Sequence, residues 1–301
     1  MIGLGNDCLL PLYVKVPDSS EKLRVRCGHC LNCKAHRAQE WCMRLQMESR
    51  YWNDMCFVTL TYNDENLPIN IIDPHLFFTD EEIADHPEYN FLHVPTHRHS
   101  DLTLFIKRLR KHLEHKCKYY AVGEYGTRYG RSHLHILFFG LSAVDSTRRL
   151  IEKCWPYGFV DVEYAFPETC YYVAGYVQKK LYGNDRDFFK LPEFMRCSQH
   201  LGERWLYDHI NQFDDDHPFI NLNGYRYGLP RQFRKILVKE GRLHEVSLQA
   251  CVLQQKKEYE DLSDHLSATG TSVSEFFRGR INNAIEKAKH RNRKRDITGD
   301  I

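Results

Sequence analysis

Two stretches of β-branched, aliphatic and aromatic residues, Lys118 to Tyr125 and His133 to Phe139, flank the Gly-bearing loop Gly126-Thr-Arg-Tyr-Gly130-Arg-Ser. This pattern predicts a β-hairpin, and the segments around it extend the constraint. Upstream, Met55 to Tyr62 (MCFVTLTY) has the composition of a strand. Asp101 is placed to cap a helix reaching His115, in which Leu102, Phe105, Ile106, Leu109 and Leu113 recur at helical spacing. Downstream, Ser146 to Cys154 reads as a short helix and Gly158 to Tyr164 as a strand. Thr169 is the expected cap of a helix through Tyr182, ended by Gly183. The order β-α-β-β-α-β plus a helix predicts an α+β fold, a ferredoxin-like, split βαβ antiparallel sheet with helices on one face.

Three segments follow from that frame. Residues 1–54 form a Cys-rich arm that ends in a helix from Lys34 to Trp52, with Trp41, Leu45, Tyr51 and Trp52 near one face. Residues 55–183 carry the sheet. Residues 184–301 form a mainly helical region, with helical pattern in Glu203 to Phe213, Pro230 to Lys239, Leu243 to Leu262 and Val273 to Arg291. Thr61 to His97 holds eight acids, four prolines and no Lys or Arg, and reads as a long acidic loop with one helical turn.

Composition excludes several classes. With 301 residues, 42% hydrophobic and 27% charged, the chain can bury one large core or two modest ones. No apolar run approaches the ~18 residues of a membrane span, and Met1 to Pro11 lacks the pattern of a signal peptide. The 11 cysteines are odd in number and mostly scattered, which argues for a reducing cytoplasm. A net charge of +2 makes no general case for nucleic-acid binding, so any such case rests on local features.

His133-Leu-His135 opens an apolar strand, so its two imidazoles share one face. If the hairpin is centred near Arg128 and Tyr129, Glu124 stands opposite His133, with Cβ atoms roughly 4.5–5.5 Å apart. A His/His/carboxylate set with open positions suits Mg²⁺ or Mn²⁺. The bland alternative is a surface Glu–His pair. His97-Arg-His99 has the same spacing in a polar loop and is given no role. On a helix, Tyr172 and Tyr176 share a face, and Lys179 and Lys180 lie one turn beyond Tyr176. A phenol attacks phosphorus only with help from a nearby cation and a polarised phosphate. The alternative is a helix using tyrosines for half-buried packing.

Together these residues resemble HUH-type replication initiators, with His-hydrophobic-His on a strand and Tyr-x-x-Lys on a later helix. The resemblance is greatest to initiators of gokushovirus-like single-stranded DNA phages. It rests on Cys27-Gly-His-Cys-Leu-Asn-Cys33, Phe57-Val-Thr-Leu-Thr-Tyr62, Gly123-Glu-Tyr-Gly126, Arg131-Ser-His-Leu-His135 and Tyr176-Val-Gln-Lys-Lys180. It implies a metal-dependent nickase in which His133, His135 and Glu124 hold the ion and Tyr176 attacks. The product is a 5′-phosphotyrosine link with a free 3′-OH, and Lys179 positions the phosphate. Tyr172 fits the place of a second tyrosine, but Gly175 stands where its own lysine would be. Implied partners are origin DNA and a host helicase and polymerase, in the cytoplasm of a bacterial host.

Cys27, Cys30 and Cys33 at Cys-x-x-Cys-x-x-Cys spacing resemble part of a structural Zn²⁺ cage. Cys8 is the first choice for the fourth ligand, with His36, His29 and Cys42 as rivals, and an iron–sulfur cluster is an alternative. DNA contacts are expected from Lys107, Arg108, Arg110 and Lys111, from Arg131 and Lys180, and from the basic tail Lys287 to Arg295. Two competing readings stand beside this one. The first is an RRM-like single-strand binding module. The second is a plasmid initiator, relaxase or transposase with the same chemistry.

Overall fold

The hairpin expected from the two apolar segments forms, and it lies inside a five-stranded antiparallel sheet. The computed structural model describes residues 8–86, 92–126, 129–175, 189–222 and 224–299. From the N-terminus come β1 (Leu12–Lys15), β2 (Lys22–Val25), α1 (Leu31–Ser49), β3 (Met55–Thr61) and β4 (Ile69–Ile72). Next are α2 (Asp80–Asp85), β5 (Leu92–Pro95), α3 (His99–His112), β6 (Lys118–Tyr125) and β7 (Ser132–Phe139). Then follow α4 (Asp145–Cys154), β8 (Val160–Tyr164), α5 (Thr169–Gly175), β9 (Phe194–Cys197) and α6 (Glu203–Asp208). The last are β10 (Phe219–Leu222), β11 (Tyr225–Gly228), α7 (Arg231–Lys239), α8 (Leu248–Thr269) and α9 (Val273–Gly299). The chain divides into two units, Trp41–Asp208 and Met1–Glu40 with His209–Ile301, the division falling inside α1. No helix among the described residues is long and apolar enough to cross a membrane.

In the first unit the strand order is β8-β3-β7-β6-β9. β7 therefore sits between β3 and β6, paired along nearly its full length on both sides. The sequence HILFF is apolar at nearly every position, so both of its faces need cover. One face packs Cys56, Val58, Leu60, Ile136 and Phe138 against Leu102, Phe105 and Leu109 of α3 and Ile151 of α4. The other packs Phe57, Tyr120, Leu137 and Phe139 against Leu45 of α1 and Cys170, Val173 and Ala174 of α5. Helices thus lie on both faces, which corrects the expectation of one. Each fully buried large side chain contributes about 1.5–3 kcal/mol.

Two further expectations change. Thr61 to His97 is not a simple acidic loop. β4 and β5 pair antiparallel, and α2 starts at a capping box in which Thr79 and Glu82 exchange side-chain-to-backbone bonds. Asp101 does not cap α3, which begins two residues earlier at His99. Its buried carboxylate instead accepts the Tyr62 hydroxyl at 2.9 Å. Burial, reinforced by that carboxylate, pushes the Tyr62 phenol above its ordinary value.

Candidate active site and metal centre

Register builds the site. Glu124 of β6 stands directly opposite His133 of β7, and His135 stands opposite Thr59 of β3. Directly paired residues share a face, so these side chains gather where the apolar layer of Phe139 and Leu137 gives way to polar residues. His133 Nε2 and His135 Nε2 each lie 3.0 Å from Glu124 Oε1. Glu124 and His135 are buried, and His133 is partly open to solvent.

The second nitrogen of each ring is also engaged. His133 Nδ1 donates to the Arg131 carbonyl at 3.2 Å, and His135 Nδ1 lies 3.1 Å from the Thr59 hydroxyl. A neutral imidazole that donates from Nδ1 presents a lone pair at Nε2. Lone pairs and a carboxylate oxygen brought this close repel one another unless a proton or a cation lies among them. Ligands about 2.1 Å from an octahedral ion sit about 3.0 Å from their neighbours. The observed spacing and the nitrogen–oxygen donor set therefore fit Mg²⁺ or Mn²⁺.

The surroundings orient this set. Phe57 stacks on His135 at 5.5 Å with 7° between the rings. Tyr172 of α5 meets the same Phe57 edge-on at 5.8 Å. Tyr172 is thus one ring away from a ligand, and it is partly exposed. Tyr176, Lys179 and Lys180 lie outside the described residues. The sequence reading missed Thr59 and Phe57. The available signal was the alternation Phe57-Val-Thr59-Leu-Thr61, which puts Thr59 on the histidine face.

The other expected site residues are dispersed. Lys107, Arg110 and Lys111 are exposed on α3, which covers the face opposite the histidines. Arg108 is half-buried over the Tyr157 ring at 5.3 Å. Arg110 lines a cavity of about 750 Å³ with Trp52, Lys116, Lys118 and Arg204. Lys118 begins β6 and Glu124 nearly ends it, so that cavity stands about 20 Å from the ligand cluster. Arg131 binds Asp64 at 2.5 Å and the Tyr62 carbonyl at 2.9 Å. His97 does not sit in a solvated loop. It is buried, with Nδ1 2.7 Å from the Ser132 hydroxyl.

Residues 55–181 match the family model of the replication-associated protein ORF2. The chain belongs among the phage replication-associated proteins. It is 30% identical over 238 residues to replication-associated protein ORF4 of Chlamydia phage 1, covering 71% of this chain and 53% of that one. The chain thus spans about half the length of that relative. It is 25% identical to replication-associated protein VP4 of Bdellovibrio phage phiMH2K, over 87% of this chain and 86% of that one. It is 29% identical to replication-associated protein ORF2 of Spiroplasma virus 4, over 72% of this chain and 68% of that one. No solved structure matches. The matched segment begins with β3 and includes every member of the Glu124/His133/His135 cluster.

Proposed function

We propose that this chain is a rolling-circle replication initiator that nicks single-stranded DNA at an origin, using residues 55–183 as an HUH-type, ferredoxin-like endonuclease core. The observation that carries this reading is the convergence of Glu124 Oε1, His133 Nε2 and His135 Nε2 beside α5. The next residue of the chain after α5 is Tyr176. Glu124, His133 and His135 would hold Mg²⁺ or Mn²⁺, which when bound supplies Lewis-acid polarisation of the scissile phosphate.

The remaining work falls to the chain. Thr59 and the Arg131 carbonyl fix the two imidazoles, so that both Nε2 atoms face inward. Phe57 closes one side of His135 to water. The Tyr176 oxygen attacks phosphorus and gives up its proton, and the P–O3′ bond breaks as the P–O(Tyr) bond forms. The strand leaves as a 3′-OH that primes synthesis, and the 5′-phosphotyrosine keeps the energy for rejoining. Lys179 would steady the phosphate, and Tyr172 stands as the candidate for the second, rejoining attack. Arg131, Lys180 and the basic residues of α3 are candidate DNA contacts, with a host helicase and polymerase acting downstream in a bacterial cytoplasm. An RRM-like binding module would place aromatics on the central strands, where this chain has Glu124, His133 and His135.

The deciding test is covalent capture. Protein incubated with labelled single-stranded origin DNA and Mn²⁺ should yield a denaturant-stable adduct, blocked by EDTA. Tyr176→Phe should abolish the adduct and leave DNA affinity within about twofold. Undiminished adduct in that variant would move the nucleophile, with Tyr172 the first suspect. No adduct with any strand would overturn the reading.

A further inference from the structure

We propose that Cys8, Cys27, Cys30 and Cys33 bind one zinc ion as a tetrathiolate site that fastens the β1–β2 hairpin to the start of α1. All four belong to the unit of Met1–Glu40 and His209–Ile301, and none takes part in the chemistry described above.

Distance is the first argument. The four Sγ atoms lie within 4.8 Å of one another, with Cys8 to Cys30 at 3.8 Å and Cys27 to Cys33 at 4.0 Å. Sulfurs about 2.3 Å from a tetrahedral zinc stand about 3.8 Å apart. A disulfide would need about 2.05 Å. An iron–sulfur cluster places its own bulk between the cysteines and would spread them beyond the observed limit.

Backbone geometry is the second. The N–H of Leu9 points at Cys30 Sγ at 3.3 Å, and the N–H of Cys27 at Cys8 Sγ at 3.3 Å. The N–H groups of His29 and Cys30 both point at Cys27 Sγ, at 3.4 and 3.3 Å. Donors aimed at sulfur favour the thiolate over the thiol. Gly28, at φ +79°, makes the left-handed turn that lets two successive N–H groups face one sulfur. The rival ligands are elsewhere. His29 contributes its backbone, His36 lies 4.0 Å from Glu40, and Cys42 is packed in the sheet core beside Leu45 and Cys170.

The fold shows what such a site would do. The loop from Cys8 to Cys27 contains β1 and β2, and every residue of β1 is exposed. A lone two-stranded hairpin is marginal in water. Its other attachments are polar contacts to α8, namely Arg24 to Glu258 at 3.0 Å, Gln255 to both backbone groups of Arg24, and Lys256 to Glu21 at 2.7 Å. The thiolate cluster has only Leu9 packed on it and supplies little apolar burial of its own. A bound metal would supply the fastening, and its binding energy becomes folding energy for the arm.

Elemental analysis of full-length protein, purified reduced and without chelator, should find about one zinc per chain. Co²⁺ exchanged into the site should give intense thiolate-to-metal charge transfer and tetrahedral visible bands. Cys8→Ser should weaken zinc retention against a chelator at least tenfold and reduce the charge-transfer intensity, while Cys42→Ser should match wild type. Hydrogen exchange on the unsubstituted chain gives a reading that no folding defect can mask. Stripping zinc should remove protection from residues 12–25 and leave β3 and β7 protected. Iron in place of zinc, four freely titrating thiols with no metal, full zinc retention in Cys8→Ser, or unchanged protection of the hairpin after stripping would each overturn the proposal.

Discussion

Gly158 precedes β8 at the point where that strand joins the edge of β3, and it tests how tightly the sheet fixes its own register. A methyl group added there would lie 2.3 Å from the Thr61 carbonyl oxygen, 2.5 Å from the Asn63 nitrogen and 2.8 Å from the Tyr62 carbonyl carbon. All three are backbone atoms, so no side chain can rotate away. Ordinary contact between such atoms is about 3.5 Å, so the chain must yield by about 1 Å. Four hydrogen bonds meet at this junction: Thr61 N to Phe159 O, Phe159 N to Thr61 O, Asn63 N to Tyr157 O, and Trp155 Nε1 to Thr61 O, at 3.0 to 3.1 Å. With each worth about 1 kcal/mol net, their loss brings the cost of Gly158→Ala to about 3–4 kcal/mol. For a unit the size of Trp41–Asp208 this lowers Tm by about 6–15 °C. Circular dichroism melts beside Gly279→Ala, where an added methyl meets nothing within 4 Å, would measure it. A Gly158→Ala melt within 2 °C of wild type would refute the claim that this junction is closed.

Thr59→Val removes the hydroxyl beside His135 Nδ1 and keeps the β-branched shape. Mn²⁺ affinity, read by calorimetry, should fall about 10–100-fold with little change in Tm, and unchanged affinity would mean that the ring is oriented by Phe57 alone. Tyr62→Phe leaves the buried Asp101 carboxylate without its donor and should destabilise the chain by about 1–3 kcal/mol at neutral pH. The Tyr62 phenol stays protonated in the folded chain above pH ~10, where the unfolded phenol ionises, so folding stability falls as pH rises past that value. Alkaline melts of Tyr62→Phe should lack that part of the slope.

What the sequence disclosed follows the range of the forces involved. The β6–β7 pairing, and with it Glu124 opposite His133, was legible because a short loop and a period of two fix register locally. The apolar stripe of α3 was legible for the same reason, with helical period. β4 and β5 were not, since each is four residues long and lies among acids and prolines. β9 was also hidden. It is a short edge strand whose partner β6 is some 70 residues upstream, so only tertiary contact selects it. Asp101 misled because a capping residue and a buried acceptor look alike in sequence, and only the position of Tyr62 distinguishes them. Thr59 passed as a strand former, and its hydroxyl acquired meaning when His135 was placed beside it. Cys8 was one candidate among four until the fold brought it to the other thiols.

The site's location has a physical reason. Along the histidine-bearing face of β7, Phe139 and Leu137 are fully buried, His135 is nearly so and His133 is the most open. The strand is clamped by ladders on both sides and by packed rings at one end, and it delivers ligands at the other. Such a strand can hold two nitrogens and a carboxylate oxygen in a repulsive arrangement, because moving any one of them would disturb a ladder shared by three strands. A flexible loop bearing the same residues would relax apart when empty and would need to be reordered on each binding event. Glu124 sharpens the point. A buried carboxylate facing two imidazoles is costly unless positive charge lies among them, so the rigid sheet stores a standing preference for a cation at this position. The same rigidity keeps Phe57 between His135 and α5, so the helix that precedes Tyr176 is referenced to the ligands through a packed ring.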